Sequence, residues 1–364
     1  MRIDLEPRAA RSPTLEVLAP VAALILAMLI GGVVIAALGR SPVEAFKVYF
    51  IAPVSDLWSL QKLAIKASPL VLIAVGLSFC YRANLWNIGA EGQYIAGALL
   101  GGWLAIATHD GAYQGLLGGW WILPAMLALG GLGGLLYAMI PALLRVSLGV
   151  SEILTSLMLV YVAQFGLDYM VRGPWRDPHG YNFPQTVSFD DPATLPLLVP
   201  GAGLHAGVLV SLAAVLIAAV VFSRTLFGYE VRLVGSAPKA ARFAGFSDRR
   251  LTILVFAISG ALAGLAGLAE VSGQIGKLQP EISPPPGYGF TAIIVAFLGR
   301  LNPVGILIAG VVLAMTYLGG ETAQIALKLP VDMTRAFQGI LLMCVLAADV
   351  FTRYRLRLSF ARRA

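Results

Sequence analysis

Charged side chains are scarce in this sequence. Of 364 residues, 26 are Lys or Arg and 19 are Asp or Glu, so that 12% of the chain is charged, while 58% is hydrophobic. A soluble domain usually has about 25% charged residues. So few charges cannot cover the surface of a chain this long, which excludes a soluble enzyme, a nucleic-acid-binding protein and a disordered scaffold. The composition predicts a polytopic membrane protein.

Cysteine and histidine, the usual ligands of structural metals, are also rare. Cys80 and Cys344 both lie within apolar runs, which favours two buried small side chains over a disulfide pair. The three histidines, His109, His179 and His205, have no Cys or His partner at zinc-binding spacing. We therefore expect no metal site.

Nucleotide-binding and hydrolase motifs are missing as well. The chain contains no G-x-x-x-x-G-K-[ST] phosphate-binding loop, no H-E-x-x-H and no G-x-S-x-G. The sequence therefore predicts no catalytic residues, no cofactor and no enzyme activity. If transport here is driven by ATP, the ATPase is a separate polypeptide.

Long apolar runs dominate what is present. About 20 mostly apolar residues cross a membrane as a helix, and the runs predict an all-α, polytopic transmembrane bundle of about ten spans. The 40 glycines, some of them four residues apart within the runs, favour close helix packing in lipid. The third and eighth runs are too short to cross alone, so either flanking residues extend them or they are half-helices, and we expect discontinuous helices there. The ten runs are residues 19–38, 64–80, 94–107, 120–144, 150–171, 203–222, 251–271, 290–298, 304–319 and 335–350.

The basic residues indicate how the bundle is oriented. Cytoplasmic loops carry an excess of Lys and Arg, and placing both termini in the cytoplasm puts most of the basic residues of this chain, whose net charge is +7, on that side. The predicted organisation is a cytoplasmic tail (1–18), a transmembrane domain (19–350) and a basic cytoplasmic tail (351–364). Within the transmembrane domain, residues 172–200 form an outer loop and residues 223–250 a cytoplasmic loop.

Residues 82–94, RANLWNIGAEGQY, place polar side chains between two apolar runs. Polar residues at membrane depth are costly and usually face a cavity or the bundle interior. Gly89 and Gly92 permit a broken helix whose freed backbone groups line such a cavity. The segment therefore predicts part of a translocation pathway, although an ordinary inner loop with a helix cap remains an alternative. The candidate pathway residues are Asn87, Glu91 and Gln93.

Residues 284–291, PPPGYGFT, are the counterpart of that segment in the second half of the chain. The prolines precede a short apolar run, and residues 299–303, GRLNP, break the chain after it. Two interrupted spans in corresponding halves are the sequence signature of a midplane site between pseudo-repeats.

Residues 223–250 contain a short amphipathic segment. Ser236 followed by Pro238 predicts a helix start, and the residues after it form an alanine-rich apolar stripe flanked by basic side chains. Such a helix either lies on the lipid surface or docks into a groove of a soluble partner. Its small apolar face favours docking.

Five ordered motifs carry a family resemblance. They are RANLWNIGAEGQ at 82–93, VSEILTSLML at 150–159, GPWRDPHGYNFPQT at 173–186, LFGYEVRLVGSAPKAARFAGF at 226–246 and PGYGFTAIIVAFLGRLNPVGI at 286–306. Together they resemble the permease subunits of bacterial ABC importers for nucleosides and simple sugars, over about residues 60–350.

The resemblance implies a pore-forming subunit in the bacterial inner membrane and a set of partners. These are a second, paralogous permease, a cytosolic ABC ATPase with two nucleotide-binding modules, and a periplasmic or lipid-anchored substrate-binding protein. The segment after the sixth run matches the place of the coupling helix in such permeases, which agrees with docking. The implied ATPase-coupling residues are Gly235, Pro238, Ala240, Ala241, Arg242, Phe243 and Gly245.

The resemblance also favours a substrate. Residues 173–178, GPWRDP, are more typical of the nucleoside branch than of the ribose branch. Amide and ring groups suit a base and a ribose, and the predicted pathway residues are Asn87, Glu91, Gln93, Tyr288, Phe290 and Thr291.

Three alternatives to that substrate and mechanism stay open. One is an ABC permease for ribose, riboflavin or another small polar metabolite. Another is a secondary transporter driven by an ion gradient, in which Glu91 and Glu270 relay protons. The third is a membrane-embedded enzyme, for which no catalytic pair is evident.

Overall fold

The computed structural model describes residues 2–7, 13–109, 119–199, 203–330 and 332–359. Within these ranges the regular secondary structure is helical apart from four short strands, β1 (Arg2–Pro7), β2 (Leu197–Val199), β3 (Leu204–His205) and β4 (Tyr354–Ser359). The helices are α1 (Pro13–Ala37), α2 (Pro42–Phe46), α3 (Leu57–Arg82), α4 (Ala90–Ala107), α5 (Ile122–Leu148), α6 (Glu152–Arg172), α7 (Gly207–Arg224), α8 (Leu226–Ser236), α9 (Pro238–Phe243), α10 (Asp248–Glu270), α11 (Tyr288–Leu298), α12 (Pro303–Ala326) and α13 (Asp332–Arg353).

Six helices are long and apolar enough to cross a membrane, counting only the described residues. They are Leu57–Arg82, Ile122–Leu148, Glu152–Arg172, Gly207–Arg224, Asp248–Ile275 and Pro303–Ala326, and two shorter apolar helices cover Val21–Ala37 and Tyr288–Leu298. The all-helical bundle predicted from the apolar runs is therefore confirmed. The number of ten spans, the cytoplasmic position of both termini and the boundaries of the predicted regions stay predictions.

The chain divides into two compact units. One unit comprises Met1–Ser55 and Met315–Ala364, where α1 packs on α13 and β1 pairs antiparallel with β4. Its buried cluster includes Ile35, Tyr49 and Leu327. Apolar side chains from both ends of the chain therefore form one small core.

The other unit, Asp56–Ala314, has α3, α4, α5 and α10 at its centre. There the backbones of Gly97, Gly134 and Gly264 approach so closely that a side chain on any of them would overlap backbone atoms of the neighbouring helix. The close helix packing expected from the glycines is confirmed. Since lipid removes the hydrophobic drive between helices, this backbone contact is a main source of cohesion.

Capping side chains and a glycine turn define where several helices start and end. The Asp56 carboxylate accepts the Ser59 N–H at 2.8 Å at the start of α3, and the Thr225 hydroxyl accepts the Gly228 N–H at 3.1 Å at the start of α8. Gly149, with φ 69°, ends α5 in a left-handed turn that glycine adopts without strain. Ser236, predicted as the start of α9, is instead the last residue of α8.

Candidate functional site

The two interrupted segments meet inside the unit Asp56–Ala314. The first is the connector 83–89 with the start of α4, and the second is the connector 276–287 with the start of α11. Five of the six predicted pathway residues are buried in the chain: Asn87, Glu91, Gln93, Tyr288 and Thr291. Phe290 alone among the six is partly exposed.

An amide pair shapes the first segment. Asn87 and Gln93 exchange two hydrogen bonds, Nδ2 to Oε1 and Nε2 to Oδ1, both at 3.0 Å. The same Asn87 amide donates to the Ser259 hydroxyl at 3.1 Å, and its oxygen accepts the Gly89 N–H at 3.1 Å. The polar groups predicted to line a pathway therefore satisfy one another, and they fix the turn that starts α4.

The N-terminal part of α6 holds the same segment through two side chains. The Ile88 N–H donates to the Ser156 hydroxyl at 3.1 Å, and the Trp86 N–H donates to the Glu152 carboxylate at 3.3 Å. Glu152 is buried and forms an ion pair with Arg145. Sequence reasoning missed this clamp, because hydroxyl and carboxylate side chains at the start of a helix are typical of an ordinary cap.

The Glu91 carboxylate joins the two segments. It accepts the Gly289 N–H at 2.6 Å and the Ser283 hydroxyl at 2.5 Å. Gly289 lies in the first turn of α11, where unpaired N–H groups and the helix dipole favour a negative charge. A side chain at Gly289 would overlap the backbone of Glu91, so the starts of α4 and α11 touch directly.

Aromatic rings continue the contact towards the end of α11. The ring of Phe297 stacks on those of Tyr81, at a centroid distance of 5.1 Å, and Trp86, at 5.8 Å, and the Tyr81 and Trp86 rings lie 5.5 Å from each other. Trp86 is 38% exposed and Phe297 is partly exposed. Sequence reasoning missed both residues, although the seven-residue spacing of Phe290 and Phe297 places them on one face of α11.

The predicted coupling residues lie on α8, on α9 and just after it. Gly235 packs against the carbonyl of Arg82 at the end of α3, and Ala241 is fully buried. Phe243 is 94% exposed, and Arg242 bonds Asp248 through Nε at 2.6 Å. The remaining predicted positions, Pro238, Ala240 and Gly245, are exposed. The α8–α9 region is thus fastened to the bundle at one face and presents an aromatic side chain on the other.

The outer loop is tied to the connector of the second segment. The N–H groups of Phe189 and Leu195 donate to the carbonyls of Gly276 and Ser272 at 2.7 and 3.0 Å. His205, which follows that loop on β3, is 2% exposed and accepts the Gly207 N–H through Nδ1 at 3.2 Å. Burial lowers the pKa of His205 to about 4. Its ring leaves no room for a side chain at Gly273.

Metal-binding groups are lacking in the part of the chain that the structure describes: no three His, Cys, Asp or Glu side chains lie close enough together to hold an ion. Cys80 and Cys344 are both free thiols. The site consists of amides, two carboxylates, hydroxyls and aromatic rings, and its partly exposed rings can stack on a planar molecule.

Comparison with known proteins places this arrangement among transporters. A model of the family described as the permease component of the branched-chain amino acid transport system matches residues 59–346. The glucose ABC transporter permease protein TsgB13 of Haloferax volcanii is 38% identical, covering 100% of this chain and 96% of that one. The nucleoside permease protein NupB of Lactococcus lactis is 29% identical (84% of each chain), and the guanosine permease protein NupP of Bacillus subtilis is 26% identical (91% and 93%). No solved structure matches this chain.

Proposed function

We propose that this chain, which belongs to the family of permease components of the branched-chain amino acid transport type, carries nucleosides through the inner membrane. It is an ABC importer permease subunit and a multi-pass membrane protein, and its family is not a catalytic one. The observation that carries the nucleoside assignment is the similarity to relatives named for nucleoside and guanosine transport.

Simple sugars are the second candidate substrate class. The relative that is 38% identical over the whole chain is named for glucose. Glucose and the ribose of a nucleoside share hydroxyl groups, but only the nucleoside has a planar base. The substrate is therefore decided by whether the pathway uses an aromatic surface that can stack on a base.

The aromatic surface favours the nucleoside. Rings stack with offset faces when their centroids lie 4.5–7 Å apart, and Phe297 and Trp86 already stack in this way. The partly exposed Phe290 lies on the same face of α11 as Phe297. In this proposal Phe290 forms the surface of the pathway, and Asn87, Glu91, Gln93, Tyr288 and Thr291 support it from the chain interior.

The transporter in this proposal is a complex. An ABC permease associates with an ATPase and a substrate-binding protein. We propose further that the ATPase is a separate cytosolic polypeptide, that a second, paralogous permease completes the pathway, and that the binding protein is periplasmic or lipid-anchored. Both termini of this chain would then lie in the cytoplasm, in a topology of ten spans with α4 and α11 as discontinuous helices.

Coupling to the ATPase is assigned to the α8–α9 region. Gly235 and Ala241 anchor the region to the bundle, while the exposed Phe243 supplies a docking side chain. ATP binding would move this region and rock the permease pair between outward-open and inward-open states. A substrate shifts that equilibrium only through different affinities for the two states, so we expect tight binding in the binding protein and weak binding here.

Uptake assays test the proposal. Cells with and without the gene take up labelled guanosine, glucose and ribose, before and after ATP depletion and after collapse of the proton gradient. We expect gene-dependent guanosine uptake that requires ATP and survives the uncoupler. Uptake of glucose alone would move the assignment to simple sugars, and uptake that follows the gradient would replace the ABC mechanism by a secondary transporter.

Two variants test the pathway residues in the same assay. Phe290→Ala and Glu91→Gln should each lower uptake about tenfold or more. A factor of ten corresponds to about 1.4 kcal/mol. Phe165→Ala, which removes a 72% exposed ring on α6, is the matched control. If both variants assemble and transport normally, the pathway assignment is wrong.

A further inference from the structure

A groove with two arginines opens at the end of the bundle where α3 and α7 stop and α12 begins. It has a volume of about 320 Å³ and is lined by residues that include Arg82, Phe222, Arg232, Asn302 and Val304. Its location at the ends of three apolar helices places it at the edge of the hydrocarbon region of a membrane.

The two guanidinium groups are held in place by their neighbours, and within the described part of the chain neither has a carboxylate partner. Arg82 donates Nε–H to the Leu301 carbonyl at 2.9 Å and stacks over the ring of Phe222 at 3.9 Å. Arg232 reaches the Phe222 carbonyl at 3.4 Å. Among the described residues, no carboxylate forms an ion pair with either arginine. Two neighbouring positive charges without an acid favour an anion in the groove.

The walls above the arginines are apolar and exposed. On α7, Leu216 and Val220 are 68% and 56% exposed; on α12, Val304 and Ile308 are 56% and 63% exposed. Helix α7 ends at the groove and α12 starts there, so both pairs lie along helices that lead away from the groove. An occupant therefore meets two positive charges at one end and two apolar surfaces at the other.

We propose that this groove binds an anionic glycerophospholipid of the surrounding leaflet. Its phosphate lies between Arg82 and Arg232, and its acyl chains lie along the exposed side chains of α7 and α12. Basic pockets between transmembrane helices bind lipid headgroups in this way, and guanidinium groups pair well with phosphate. An acidic side chain of a soluble partner would match the charges but would leave the apolar walls uncovered. The proposal requires only that the chain is embedded in a membrane.

Native mass spectrometry of the purified transporter complex containing the full chain tests the proposal. The complex is titrated with phosphatidylglycerol and, separately, with phosphatidylcholine. We expect preferential retention of phosphatidylglycerol by the wild type. Arg232→Gln should weaken it about fivefold, corresponding to about 1 kcal/mol for one basic residue at an anionic surface. Arg232→Lys should restore most of the binding.

Matched variants separate the groove from general surface charge. Arg224→Gln removes a basic residue at the end of α7 that does not line the groove, and it should retain the lipid as the wild type does. Arg82→Gln should weaken retention further, but it also removes a 2.9 Å bond to Leu301 and the contact with the Phe222 ring, whereas the exposed Arg232 loses only a 3.4 Å bond; Arg232→Gln is therefore the deciding variant.

Three results would overturn the proposal. Equal retention of phosphatidylglycerol by the wild type and Arg232→Gln would remove the groove as the site. Displacement of the lipid by millimolar inorganic phosphate would make a soluble anion the ligand. Retention only after the ATPase subunit has been removed would identify the groove as a contact surface for that subunit.

Discussion

The two interrupted segments have the same backbone task, yet different chemistry supports each. In the connector 83–89, the Asn87–Gln93 amide pair and the Ser156 hydroxyl supply most of the bonds, and the Glu152 carboxylate adds one. In the connector 276–287, prolines restrict the backbone conformation. The start of α11 bonds to the carboxylate of Glu91. Since Glu91 belongs to α4, the start of α11 depends on the first segment, whereas the first segment is held by its own amide pair and by side chains of α6 and α10.

The largest expected effect comes from filling the contact between the two helix starts. Gly289→Val places a branched side chain where the backbone of Glu91 lies. Neither backbone can yield without losing the start of α4 or α11, and overpacking or backbone displacement of this kind costs more than about 3 kcal/mol. We expect almost no folded protein by fluorescence-detected size-exclusion chromatography.

Gly166→Val is the control for that substitution. It adds the same side chain to α6 at a position with no atom within 4 Å of the new Cβ. A normal chromatographic peak for Gly289→Val would contradict direct contact between the two segments.

Removing the carboxylate should open the second segment and spare the first. Glu91→Ala leaves the Gly289 N–H and the Ser283 hydroxyl without their acceptor, at a cost of about 2–4 kcal/mol. Glu91→Gln keeps one acceptor oxygen and should cost about half as much. Hydrogen exchange should rise in 283–291 and stay low in 83–89, and the exposed Glu281→Ala serves as control. Equal exchange in both segments would remove the asymmetry.

The amide pair should show strong coupling. Asn87→Ala leaves the buried Gln93 amide without its two bonds, and Gln93→Ala takes the same two bonds from Asn87, which keeps those to Ser259 and Gly89. Each variant should cost about 1–3 kcal/mol, whereas the double variant should cost clearly less than the sum. Thermal unfolding of the purified complex measures this cycle, with the exposed Gln274→Ala as reference. Additive losses would mean that the two side chains act independently.

The sequence predicted the helical fold class and the two helix interruptions because both have local signals. Apolar runs indicated the helices, and polar residues with glycines at 82–94 and prolines at 284–286 indicated the interruptions. The sequence does not show whether Asn87 and Glu91 face a cavity or another helix. That depends on their partners Ser259 and Gly289, which lie far away in the chain.

The supporting residues were harder to predict for the same reason. Glu152 and Ser156 are residue types common at an ordinary helix start. They accept backbone N–H groups of the connector 83–89 only because α6 packs against it. Trp86 and Phe297 become a stack only when α11 lies beside the end of α3. The seven-residue spacing shows that Phe290 and Phe297 share one face of α11, but it does not show which part of the chain packs on that face.

The smallest effect should come from pH, and it should again distinguish the two segments. His205 is neutral when buried because its pKa is lowered to about 4 from 6.5. Above pH 6.5 folded and unfolded chains are both neutral there; as pH falls from 6.5 towards 4, the unfolded chain takes up a proton first, so stability declines. A proton on Nδ1 would also remove the acceptor of the Gly207 N–H.

Since Gly273 packs on the His205 ring just before the connector 276–287, hydrogen exchange at low pH should rise in that connector and not in 83–89. His205→Asn, which cannot titrate, should lose a few degrees less in melting temperature than the wild type between pH 6.5 and 4.5. Parallel losses in both proteins would show that other groups cause the decline.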